Sequence, residues 1–276
     1  MLCFGCICAV AVTEPPQPGV FPAAAAALEQ AFPGPGISYL LMSTSGDNLA
    51  ERWPYPDVPV APGSLVKPFL AVAYGEQHDG VFPRVQCKGM GSRCWLPAGH
   101  GSVRLEDALA QSCNAYFLEL AARLDRPRAA RTFAQYGLTG PSLTSKDEAL
   151  IGLGDGWRET PLSIASAYLL LQRRQRRGTE GRIVRGMQAA AFHGTARAVD
   201  AALGDAARFA DGTALAKTGT APCSHQPRGS ADGFAVVLYP AAQPRLLLLV
   251  RLHDATGAET AKLAGKMLRS LGAGAP

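Results

Sequence analysis

Strand-like segments at both ends of the chain, with helical patterning between them, predict an α+β fold. The expected form is an antiparallel sheet of about five strands built from both termini, flanked by helices and carrying an inserted all-helical lobe. Three observations carry this reading. Ile37–Met42 and Leu49–Trp53 are apolar runs joined by the turn Ser45-Gly46-Asp47-Asn48, which predicts an early hairpin. Thr213–Thr218, Gly233–Tyr239 and Arg245–Leu252 read as three consecutive strands, the last two joined by Pro240-Ala241-Ala242-Gln243-Pro244. Between these groups the apolar residues recur at helical spacing.

In order along the chain, Met1–Val12 is apolar, lacks a basic start and is too short to span a bilayer. It reads as the remnant of a secretory signal or anchor, with Cys6 and Cys8 in a poor context for lipidation. Thr13–Gly36 is proline-rich and reads as a semi-rigid linker interrupted by a helix at Ala23–Ala31. Residues 1–36 therefore precede a domain at 37–272, whose helical lobe covers about 78–210, and residues 273–276 form a tail. A helix is expected from Ser64 to Gln77. Pro68 denies the Ser64 carbonyl its usual partner, so the first turn should be irregular. His78–Ser102 reads as a glycine- and cysteine-bearing loop. Helices follow at Val103–Leu109, Ala115–Leu124, Arg128–Tyr136 (stopped by Gly137), Pro161–Leu171 (capped by Thr160) and Ala196–Ala207. Ala258–Leu271 closes the chain as an amphipathic helix.

A chain of 276 residues, 47% hydrophobic and 18% charged, is globular with ample core. The net charge of +5 is mild and partly local, in Arg173-Arg174-Gln175-Arg176-Arg177. That run suits a solvated helix end, whose dipole favours cations, or contact with an anionic polymer or lipid headgroup. It has no interleaved aromatics, so no nucleic-acid partner is expected. The seven cysteines form no metal-binding pattern, and no metal or cofactor is expected. Cys87 and Cys94 could pair in an oxidised protein, though spacing alone does not show it. Cys113 and Cys223 read as small buried hydrophobes.

The chemistry is concentrated in three short motifs. Ser64 and Lys67 share a helix face three residues apart, so a hydroxyl can meet an amine. The alcohol needs a base, and a lysine serves only when burial or a second cation keeps it neutral. Gly63 permits a sharp turn into the helix, and the helix start offers N–H groups to an oxyanion. Downstream lie Ser112-Cys113-Asn114 and Lys217-Thr218-Gly219-Thr220. Each motif is weak alone; all three in this order form a known signature of penicillin-binding proteins and class A β-lactamases.

The match extends further. Pro62-Gly63-Ser64 through Phe69, Gly99-His100-Gly101, Ala108-Leu109, Ser112 through Phe117, Gly152–Gly156 with Thr160-Pro161-Leu162, and Lys217 through Ala221 resemble the transpeptidase domain of penicillin-binding proteins. The resemblance covers roughly Ile37 to Gly272. It implies a serine acyltransferase that acts on D-Ala-D-Ala stem peptides of peptidoglycan, is acylated by β-lactams, and works outside the cytoplasmic membrane with cell-wall synthesis proteins. Ser64, Lys67, Ser112 and Asn114 are the expected catalytic residues. Lys217, Thr218, Gly219 and Thr220 would seat a substrate carboxylate, and the Ser64 and Thr220 N–H groups would form the oxyanion hole. Departures are Leu65, where many relatives carry threonine, and Ser230-Ala231-Asp232-Gly233-Phe234, where many carry an aromatic pair. Competing readings are a D,D-carboxypeptidase, a class D-like serine β-lactamase, and a non-catalytic β-lactam sensor or scaffold. The chain has no Glu-x-x-Leu-Asn between Asn114 and Lys217 and no Tyr-Gly-Asn.

Overall fold

The computed structural model describes residues 20–176, 178–204, 214–223 and 231–272. The apolar start with Cys3, Cys6 and Cys8, most of the proline-rich linker, Arg177, Asp205–Ala207, Thr213, Ser230 and the tail lie outside the described residues.

A five-stranded antiparallel sheet has the order β2-β1-β7-β6-β5. Its strands are β1 (Ile37–Ser43), β2 (Asn48–Arg52), β5 (Leu215–Pro222), β6 (Ala231–Tyr239) and β7 (Leu246–Leu252). The N-terminal hairpin thus joins the C-terminal meander where β1 pairs β7, with Leu40 opposite Leu249. Both faces are apolar, so the sheet lies between two helical layers. Leu40, Met42, Leu215, Val236 and Leu249 pack towards the lobe, while Tyr39, Leu41, Ala216, Val237 and Val250 pack on the other face.

The outer layer comprises α1 (Val20–Ala31), α9 (Arg197–Leu203) and α10 (Gly257–Gly272), with Leu28, Val199 and Met267 in its core. The lobe holds α2 (Lys67–Gln77), α3 (Leu105–Ala110), α4 (Asn114–Ala121), α5 (Arg126–Gln135), α6 (Asp147–Leu150), α7 (Pro161–Arg173) and α8 (Gly178–Phe192). Thr160 caps α7 by accepting from the Ser163 N–H at 3.1 Å. Arg173 and Arg174 of the basic run sit at the end of α7, where Arg173 donates to the carbonyls of Thr44 and Ser45 and Arg174 lies over the Tyr136 ring.

The structure corrects two expectations. His78–Ser102 is not loop throughout: β3 (Val85–Cys87) pairs with β4 (Gly101–Val103), which takes Val103 from the helix expected there. Helix α8 falls where no helix was expected, in a segment whose Gly178, Gly181 and Gly186 weaken its helical propensity. Gly186 instead permits close packing, since a Cβ there would stand 2.7 Å from Leu109 Cβ on α3. The bidentate pair from Arg182 to Glu106, at 2.8 and 3.0 Å, ties the same two helices.

Candidate active site

The segment that carries Ser64 is a tight turn held from three sides. Gly63–Val66 is a 3-10 turn leading into α2, and the Lys67 N–H donates to the Ser64 carbonyl. Pro68 stands in the first turn of the α-helix, so the ladder begins irregularly, as its missing N–H requires. Gly63 has φ +58°, and a Cβ there would stand 2.5 Å from Thr220 O and 2.8 Å from Thr220 N. Only glycine lets the turn lie so close against β5. From the other side Gly152 approaches, where a Cβ would meet Gly63 O at 2.0 Å. From below, the fully buried Tyr168 on α7 donates its hydroxyl to Leu65 O at 2.7 Å.

Lys67 follows the turn and is 0% exposed. Its Nζ donates to Ser112 O at 2.8 Å, Ser112 Oγ at 3.3 Å and Asn114 Oδ1 at 2.6 Å. Lys217, on edge strand β5, is also 0% exposed. It donates to Ser112 Oγ at 2.9 Å and to Thr218 O at 2.7 Å. The Ser112 hydroxyl therefore accepts from both lysines and keeps its own proton to give. Ser112 holds this position with φ +50°, a strained conformation for a residue with a Cβ. Asn114 opens α4 and is buried. Neither lysine has a carboxylate partner among the described residues.

Both amines are held below the ordinary lysine value. Burial brings Lys67 down to about 7, opposed by the neighbouring thiols Cys113 and Cys94. Lys217 is pushed well down, first by burial and then by the Lys67 charge. A lysine near 7 can act as a base at neutral pH. Ser64 is half-buried, one residue beyond the Gly63–Thr220 contact.

The structure thus joins Lys67, Ser112, Asn114 and Lys217 in one hydrogen-bonded group, with Ser64 on the adjoining turn and Gly219 and Thr220 packed against that turn. Both threonine hydroxyls of this strand have partners within the protein. Alternate residues of a strand face opposite sides, so Thr218 shares the face of Ala216, not that of Lys217. Its hydroxyl pairs with Thr195 Oγ1 at 2.7 Å, while Thr220 Oγ1 accepts from the Gly257 N–H at 3.0 Å. Thr195 was not singled out by sequence; it follows α8, and its N–H donates to Ala110 O just before Ser112. Glu159 was also missed. It is buried and accepts from Trp157 Nε1 at 2.8 Å and Thr139 N at 2.7 Å, and its backbone pairs with Val60 in the loop before the nucleophile turn. Neither residue falls in a short motif.

Two groups of metal-type ligands occur among the described residues: Cys87, Cys94, His100 and Cys113, and Cys223, Asp232 and His253. The first corrects the expectation that the cysteines form no metal pattern. Its spacing, Cys-x6-Cys-x5-His-x12-Cys, is spread over a hairpin and a helix start, and only the fold closes it. In the second, His253 Nδ1 lies 2.7 Å from Asp232 Oδ1.

No family model and no curated protein matches this chain. Solved structures do. Penicillin-binding protein 2 (PBP2) of Pseudomonas aeruginosa, in complex with WCK 5153, is 21% identical, with a TM-score of 0.72 over 92% of this chain and 73% of that one. PBP2 of Helicobacter pylori, in complex with MreC, is 15% identical, with a TM-score of 0.72 over 91% of this chain and 62% of that one. PBPA of Mycobacterium tuberculosis is 17% identical, with a TM-score of 0.67 over 92% of this chain and 79% of that one. At these identities the likeness speaks to architecture, and it agrees with the sheet order and inserted lobe described above. The chain has the α+β fold of a penicillin-binding protein transpeptidase domain.

Proposed function

We propose that this chain is a penicillin-binding serine acyltransferase, a D,D-transpeptidase that cross-links peptidoglycan stem peptides through an acyl-Ser64 intermediate. The observation that carries the reading is the Ser112 hydroxyl, which accepts from two buried lysines beside the Ser64 turn. Ser64 Oγ attacks the carbonyl of the penultimate D-Ala, and its proton goes to Lys67. The oxyanion is met by the Ser64 and Thr220 N–H groups. Ser112 gives its proton to the departing D-Ala nitrogen and takes the Ser64 proton from Lys67 in exchange, the C–N bond breaks, and the acyl group stays on Ser64. An acceptor amine then attacks the ester, its proton goes to Lys67, now neutral again, and Lys67 returns it to Ser64 Oγ as the ester C–O bond breaks. Asn114 orients Lys67 and a substrate amide. Lys217, Thr218, Gly219 and Thr220 seat the terminal carboxylate, with Thr195 beside Thr218 as a further donor. The partners are stem peptides, β-lactams and cell-wall synthesis proteins, and the compartment is extracytoplasmic. Among the described residues no helix is long and apolar enough to cross a membrane.

Intact-protein mass after mixing with benzylpenicillin tests the reading. A lasting single adduct on Ser64 supports it. Rapid turnover to hydrolysed penicillin would replace it with a β-lactamase, and no adduct with no hydrolysis would replace it with a scaffold. Release of D-Ala without cross-linked product would make it a carboxypeptidase.

A further inference from the structure

Ser112 and Asn114 contact the lysines, but Cys113 between them meets other sulfurs. It is 0% exposed, and its Sγ lies 3.9 Å from Cys94 Sγ. His100 Nδ1 stands 3.5 Å from Cys87 Sγ and 3.5 Å from Cys94 Sγ. All four ligand atoms lie within 4.8 Å of one another. Tetrahedral zinc, bonded at about 2.3 Å to sulfur and about 2.0 Å to nitrogen, sets its ligands about 3.8 Å apart for a sulfur pair and about 3.5 Å for sulfur and nitrogen. Three of the six edges, at 3.5, 3.5 and 3.9 Å, match these values, and the rest lie within 4.8 Å. The three cysteines of the group form no disulfide, which would require sulfurs at about 2.0 Å.

The surroundings fit a closed metal site. His100 turns Nδ1 to the sulfurs, while its Nε2 is buried without a partner and Trp95 packs edge-on against the ring. The Cys87–Cys94 connection is a tight knuckle: the Cys94 N–H donates to Gly89 O at 3.0 Å, and Ser92 Oγ accepts from the Lys88 N–H at 2.8 Å. A Cβ on Gly99 would stand 2.4 Å from Cys87 O, so the two arms of the hairpin meet backbone to backbone. Strands of three residues each make too small a hairpin to be stable alone. A bound ion would supply what the short ladder lacks.

We propose that Cys87, Cys94, His100 and Cys113 bind one structural zinc ion, which fastens the β3–β4 hairpin to the Ser112–Asn114 segment. Binding converts three thiols to thiolates and releases three protons to water. His100 contributes the Nδ1 lone pair and keeps its proton on Nε2. No ligand position is left for water, so the ion performs no chemistry itself. Because Cys113 is bonded between Ser112 and Asn114, the ion holds the backbone that presents the Ser112 hydroxyl. This last point rests on the function proposed above; the metal content does not.

The test begins with elemental analysis of untagged protein purified without added metal. About one zinc per chain is expected, with less than about a tenth of that in the Cys94→Ser, His100→Ala double variant. Wild-type protein reloaded with cobalt(II) is expected to show the intense absorption of tetrahedral thiolate ligation, whether or not the variant folds. Metal-free protein that stays folded and takes up neither ion overturns the site, as does a disulfide between any two of these cysteines or an octahedral cobalt spectrum. Stripping zinc with a chelator is expected to slow acylation by a fluorescent penicillin about tenfold or more, reversed by added zinc. Unchanged acylation in zinc-free protein overturns the coupling. Zinc-loaded protein that is never acylated overturns the acyltransferase reading while leaving the metal count intact.

Discussion

Ser112, Cys113 and Asn114 are consecutive, yet they serve two neighbourhoods of opposite character. On one side lie two buried amines with no carboxylate partner among the described residues. On the other lie two further thiols and an imidazole. The first side is organised by hydrogen bonds to a strained serine and is built to move protons. The second is three thiols and an imidazole whose ligand atoms lie within 4.8 Å of one another in a buried group. Under the proposed function the contrast has a use: the residue between the two polar members of a proton relay packs among thiols instead of facing the amines.

Perturbing the lysine side should produce the largest effects. Ser64→Ala is expected to abolish the penicillin adduct while near-ultraviolet circular dichroism stays native; an adduct that survives would show that another residue is the nucleophile. Lys67→Ala should slow acylation by about 10²–10⁴-fold, the usual contribution of a general base, measured by stopped-flow quenching with a reporter β-lactam. A loss below about threefold would assign the base elsewhere. In the wild type, acylation should rise about tenfold per pH unit on the acid side and level off above about 7, because the neutral amine is the active form and burial sets Lys67 near that value. A flat profile from about pH 5.5 to 8 would refute the assignment. The smallest change expected is for Thr195→Val, which removes one hydroxyl beside Thr218. It should weaken recognition of a substrate carboxylate about two- to tenfold, the worth of one hydrogen bond, and spare substrates without that group. Equal effects on both substrate types would make Thr195 merely structural.

The same two neighbourhoods mark how far the sequence can be read. The contacts of Lys67 and Lys217 with Ser112 and Asn114 were legible because each of these residues falls in a short motif. The strands at the chain ends were legible from their apolar runs. The thiol cluster was not, since its ligands lie on separate elements and no short spacing announces them. Helix α8 was missed because three glycines lower its helical propensity, whereas at Gly186 the missing Cβ is what admits α3. Strands β3 and β4 are too short to show a period. Thr195 and Glu159 act through contacts distant in sequence, so only the fold joins them to the site.

The two depressed lysines have a consequence for the molecule as a whole. The unfolded chain would bind protons that the folded chain declines. For Lys67 the folded value is about 7 and the unfolded value about 10.4, so its contribution favours folding more as pH rises between them and is level below. Lys217 acts in the same direction. A thermal midpoint followed from about pH 7 to 9 should therefore climb, and Lys67→Met should flatten the climb; an equal slope in both proteins would refute this link. The protein forfeits part of its resistance to unfolding at neutral pH in order to keep an amine unprotonated beside a serine.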